Sequence, residues 1–133
     1  MNKEILIQEF DSLMKVLDHI QEEQSIVKRK LNVLLESTVM LDFLVWAEEL
    51  LQQILNRETA IVLLRKDIIV FKKSVTTKKT IAIYVDLTQN KLFKKFKEQV
   101  LYLENEFSDW KLEVDEKLEG AKLNPSNVIS IPE

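Results

Sequence analysis

From Met1 to Glu119 the chain contains neither glycine nor proline; Gly120, Pro125 and Pro132 are the only residues of either type. Phosphate-cradling loops, strand–turn–helix nucleophile elbows and tight two-residue hairpins all depend on glycine, so this long region cannot contain them. A chain that runs so far without either residue reads as helical with few turns.

The apolar pattern supplies the period. Between Met40 and Val75, Met40, Phe43, Ala47, Leu50, Ile54, Ile61, Leu64, Ile68, Phe71 and Val75 alternate steps of 3 and 4 once Arg57 is placed in the vacant slot. That is one face of a long helix, and no strand holds such a spacing. We read it as the central helix of an elongated bundle. Upstream, Leu6, Phe10, Leu13, Leu17, Ile20, Gln24, Val27, Leu31 and Leu34 form a second seam, with Asn2 as N-cap. Gln24 stands on that seam, where a polar residue either fixes register or lies at an exposed edge. Downstream, Leu92, Phe96, Val100, Leu103, Phe107, Trp110, Val114 and Leu118 form a third. Its repeated steps of four put the period nearer 3.6 than 3.5 and predict little supercoiling.

The first two seams differ in phase by two residues. One straight helix cannot serve both, so a break falls near Glu36–Val39, with Ser37 or Thr38 capping the next helix. Asn56–Thr59 is a weaker break; used, it would split helix two and give four helices. Residues 68–88 are rich in β-branched side chains, and a hairpin of 68–74 with 80–86 is the alternative there. The uninterrupted seam through Val75 favours a turn at Thr76–Lys79 and a third helix from near Thr80. Gly120 and Pro125 mark its end, and residues 121–133 read as an irregular tail. The expectation is an all-α, up–down–up bundle of three long helices (about 3–36, 38–75 and 80–119), forming one domain over residues 1–120.

Charge is distributed unevenly. Residues 65–97 carry Arg65, Lys66, Lys72, Lys73, Lys78, Lys79, Lys91, Lys94, Lys95 and Lys97 against Asp67 and Asp86, although the whole chain has a net charge of −3. The up–down–up path sets Glu4, Glu9 and Asp11 beside the basic turn, and Lys28, Arg29 and Lys30 beside the acidic end of helix three. Lys72, Lys73, Lys78 and Lys79 then form a positive pole, which Lys91, Lys94 and Lys95 extend along helix three. A single-sign field of this kind steers partners of opposite charge. The segment 91–103 is also a basic amphipathic helix with interleaved aromatics, a pattern that suits anionic surfaces and nucleic acid.

Little in the sequence suggests catalysis. There is no cysteine and one histidine, His19, so disulfides, thiolate metal sites and histidine-rich centres are excluded within one chain. Glu48–Glu49 and Glu106–Asp109 are carboxylate pairs, but they lack the denser acidic pattern of magnesium-dependent helical hydrolases. Asp11–Lys15 and Glu113–Lys117 have the spacing of i,i+4 surface pairs. Phe107 and Trp110 read as core. Trp46 sits at the core's edge, where a tryptophan either packs within the monomer or meets a partner.

Helix two is apolar on more than one face: Val39, Leu44, Val45, Trp46, Leu51, Leu55, Val62, Leu63, Ile69 and Val70 lie off its seam, which points to a homodimer. The opening MNKEILIQEF does not read as a signal peptide and no apolar run spans a bilayer, so the cytoplasm is the expected location. The functional expectation is a non-enzymatic helical interaction protein, adaptor or chaperone-like, using no cofactor or metal. Its expected partner is a protein with an acidic surface, bound through Lys72, Lys73, Lys78, Lys79, Lys91, Lys94, Lys95 and Trp46. The alternative is a binder of nucleic acid or an anionic surface through residues 65–97.

Overall fold

A computed structural model describes residues 3–37, 40–77 and 87–123. It contains α1 (Lys3–Ser37), α2 (Leu41–Thr77) and α3 (Leu87–Leu123), with no strand among the described residues. Asp11 meets Lys72, Asp18 meets Arg65 and Lys28 meets Glu58, so α1 and α2 run antiparallel. The pairings of Phe71 with Phe96 and of Gln53 with Trp110 do the same for α2 and α3. The expected three-helix, up–down–up bundle is the fold.

Several expectations need correction. α2 is one unbroken helix of 37 residues, about 55 Å long, so Asn56–Thr59 is not a break. The reason is visible on its inner face, where Ile54, Arg57 and Ile61 are all buried and stopping there would expose them. Residues 68–77 are helical, which removes the first strand of the hairpin alternative; Lys78–Asp86, including the expected start at Thr80, lie outside the described residues, as do Asn2 and residues 124–133. The α1–α2 break falls where the phase shift put it, but Ser37 does not cap α2, and Thr38 lies outside the described residues. Its hydroxyl donates back to the Leu34 carbonyl at 3.1 Å, and the Met40 carbonyl accepts the first α2 hydrogen bond, from Leu44 N–H at 3.0 Å.

Gly120 does not stop α3. The helix runs through it to Leu123, and Gly120 does not have a positive φ. Continuing the helix buries Ala121 one step beyond Leu118, and that contact offsets the roughly 1 kcal/mol helix penalty of glycine. At the other end of α3 the seam begins at Phe93, which is buried, while Leu92 is exposed. The steps from Phe93 through Phe96, Val100, Leu103, Phe107 and Trp110 to Val114 then alternate 3 and 4. Only the step to Leu118 breaks the heptad, so the 3.6 period expected for the whole helix is a local feature of its end.

The central helix is α1, not α2. α1 lies close to both of the others, whereas α2 and α3 approach each other least. Bulky side chains keep those two apart: the Phe71–Phe96 pair, and Arg57 against Phe107 and Trp110. The core divides into two clusters along the rod. One holds Phe10 with Phe71 and Phe93 edge-on at 5.3 and 5.2 Å, surrounded by Leu6, Leu13, Leu17, Ile68, Val75 and Val100. The other holds Val27, Leu31, Phe43, Leu50, Ile54, Val114 and Leu118.

Candidate functional site

Gln24, Arg57 and Glu106, one residue from each helix, meet near mid-length. Arg57 is 5% exposed and Gln24 1%, so the edge reading of Gln24 is wrong and the register reading applies. Arg57 Nη1 donates to Gln24 Oε1 at 2.8 Å and its Nη2 to Glu106 Oε1 at 2.5 Å. The guanidinium also lies over the Trp110 ring, 4.3 Å from the centroid, and Trp110 Nε1 donates to Gln53 at 2.8 Å. Slipping either neighbour by one heptad would face the buried cation with Leu17 or Leu31 on α1, or with Gln99 or Glu113 on α3. A slip of α1 removes the amide and a slip of α3 to Gln99 removes the carboxylate, whereas a slip to Glu113 keeps both, so this layer fixes the alignment of α1 against α2. The arrangement is structural; its carboxylate and guanidinium are committed to each other.

The basic residues expected to form one pole are spread over different faces. Lys72 turns inward, and its Nζ lies 2.7 Å from Asp11 Oδ1 on α1. Lys73 is exposed on the outer face of α2, and Lys78 and Lys79 lie outside the described residues. Lys91, Lys94 and Lys95 are exposed and share the outward side of α3, where i, i+3 and i+4 positions cluster. Trp46 belongs to the other end of the rod. Its ring sits 5.5 Å from Phe43 and beneath Lys117 Nζ at 4.6 Å, so it packs within the monomer. The i,i+4 reading of Asp11–Lys15 and Glu113–Lys117 gives way to these inter-helix contacts, and Lys111–Asp115 at 3.2 Å is the observed pair on α3. His19 is exposed, 4.0 Å from Glu23. Lys28 reaches Glu58 of α2 at 3.8 Å rather than the acidic end of α3.

Two surfaces stand out beyond the lysines. Leu41, Leu44, Val45, Leu55, Val62, Leu63, Ile69 and Val70 are all exposed on α2, most of them by more than half. At 100° per residue they centre on the side of α2 opposite its core seam. The off-seam excess in the sequence had signalled this face, apart from Leu41. The second surface is a cleft of about 510 Å³ where α2 and α3 stand apart, lined by Ala60, Leu63, Asp67, Lys95, Tyr102 and Leu103 among others. Nothing in the residue pattern points to the cleft, because seam spacing does not report how far apart two helices sit.

Among the described residues no three metal-binding side chains cluster, and no helix is long and apolar enough to cross a membrane. No family model, curated protein or solved structure matches the chain.

Proposed function

We propose that this chain is a non-enzymatic helical interaction protein that works by presenting long helix faces, as an adaptor or assembly factor does. The observation that carries this reading is the apolar outer face of α2. Eight large exposed hydrophobic residues on one helix, opposite its own core seam, are more than solubility tolerates without a partner. A fold built only to be stable would place polar residues there.

The second element of the proposal is the exposed Lys91, Lys94 and Lys95 group, which suits a partner with an acidic surface. The same group supports the second reading, binding to nucleic acid or an anionic surface. The test is affinity capture with purified chain at low and high salt, beside the variant Lys91→Glu, Lys94→Glu, Lys95→Glu. Lys72 is left unchanged because of its contact with Asp11. A stoichiometric protein partner, lost in the triple variant, supports the proposal. Retention of nucleic acid alone, with affinity falling steeply as salt rises, favours the second reading. A third arm replaces Val62 by Glu on the α2 face; capture that ignores this change removes the apolar face from the argument.

A further inference from the structure

We propose that the outer face of α2 is the interface of an antiparallel homodimer, with the two copies related by a twofold axis beside residue 57. This rests on the interaction reading above and names the occupant of that face.

With the core seam assigned, the outward positions form a second seam of their own: Leu41, Val45, Glu48, Gln52, Leu55, Thr59, Val62, Lys66, Ile69 and Lys73, again in steps of 4 and 3. It runs for about nine turns and 48 Å. A stable dimer buries roughly 800 Å² per partner, and a single-helix contact approaches that only over such a length. The flanking Leu44, Leu63 and Val70 widen it.

Charge then selects the occupant and its direction. The N-terminal half of α2 carries Asp42, Glu48 and Glu49 and no basic residue before Arg57. The C-terminal half carries Arg65, Lys66, Lys72 and Lys73, with Asp67 as the acidic exception beyond Glu58. A parallel copy would set Glu48 against Glu48 and Lys66 against Lys66. An antiparallel copy sets acidic half against basic half in both directions. Centred at residue 57, it pairs Glu48 with Lys66, Val45 with Ile69, Gln52 with Val62 and Leu55 with Thr59. Each pairing joins the two alternating positions of the seam, as antiparallel helix packing requires. Sliding the copies by one heptad sets Glu48 opposite Lys73 but Val45 opposite Thr76 in one direction, and Val45 opposite Val62 but Glu48 opposite Thr59 in the other, so only the register centred at residue 57 keeps both the charge pair and the apolar pair. Neither Glu48 nor Lys66 forms an ion pair among the described residues, so both are available.

The experiment uses the whole chain. Light scattering at tens of micromolar should give twice the chain mass, and Val62→Glu should give a monomer with unchanged helical circular dichroism, since Val62 is 57% exposed. Glu48→Lys alone and Lys66→Glu alone should each weaken dimerisation about tenfold or more; combining them in one chain restores opposite charges and should recover the native affinity. The absence of cysteine allows a directional test. A mixture of Val45→Cys and Ile69→Cys chains should give the mixed disulfide, while Val45→Cys alone should not cross-link. A monomer mass for the native chain overturns the homodimer while leaving the α2 face open to a different partner. A Val45→Cys homodisulfide overturns the antiparallel direction, and additive losses in the charge-swapped chain overturn the register.

Discussion

Removing the Glu106 carboxylate should cost more than removing the whole Arg57 charge. Glu106 accepts from Arg57 at 2.5 Å, and the arginine side chain is 4% exposed while that of Glu106 is 41% exposed. Glu106→Ala leaves a buried cation with one neutral partner, Gln24. Breaking a fully buried pair in this way costs about 3–5 kcal/mol. The exposed side of Glu106 admits water, which places the expected loss near the lower end, about 3 kcal/mol. Arg57→Met removes the charge itself and keeps an apolar stem in contact with Phe107 and Trp110. It forfeits the cation–π contact, about 1–2 kcal/mol, and leaves Gln24 without its donor, about 1–3 kcal/mol. Removing the buried cation also removes its desolvation penalty, several kcal/mol for a buried ion, which offsets most of both and leaves a net loss of about 1–2 kcal/mol. The triple change Gln24→Leu, Arg57→Met, Glu106→Leu extends the hydrophobic seams and should be near neutral or stabilising. Urea denaturation followed by circular dichroism measures all three. If Glu106→Ala costs under about 0.5 kcal/mol, or the triple variant loses the sum of the single losses, the pairing is not a coupled buried unit and the alignment argument fails.

Three further outcomes follow from the packing. Phe10→Ala should destabilise by about 3–5 kcal/mol in the same assay, because Phe10 is fully buried between the Phe71 and Phe93 rings and no neighbour can collapse far enough to fill the void. Gly120→Ala should stabilise by about 0.5–1 kcal/mol in thermal melts, since the position is helical and an added Cβ meets nothing within 4 Å; a loss would place Gly120 at a helix end after all. Lys72→Glu should cost about 1 kcal/mol or less by repelling Asp11, with most of it recovered by Asp11→Lys in the same chain and the difference shrinking at high salt.

Helix count, helix direction and most of the buried residues were written in local spacing. Steps of 3 and 4 identify which residues of a helix share a face, and the phase shift near Val39 identifies where the chain must turn, whatever lies opposite. The errors came where local signals competed with burial. Gly120 is a stop signal only if nothing beyond it gains by staying helical, and Ala121 gains a place in the core. Leu92 and Phe93 fit the seam about equally well by spacing; the presence of Phe10 across the interface selects Phe93. Gln24 and Arg57 were both visible as polar residues on apolar seams, but neither sequence position says that they meet each other or that Glu106 joins them.

The candidate surface divides the same way. The surplus of apolar residues on α2 is a property of one helix and was legible from its periodicity. The order of charge along α2, acidic before basic apart from Glu58 and Asp67, is likewise legible in the sequence. Which helix is central, how wide the gap between α2 and α3 is, and whether a lysine faces solvent or an aspartate depend on side-chain volumes and on residues dozens of positions away. Helical phase puts Lys72 beside the core seam and Lys73 opposite it, but that Lys72 meets an aspartate there depends on Asp11 of a different helix. Tertiary structure decided these points because each is set by what packs opposite, and a helix's own period carries no information about its neighbour.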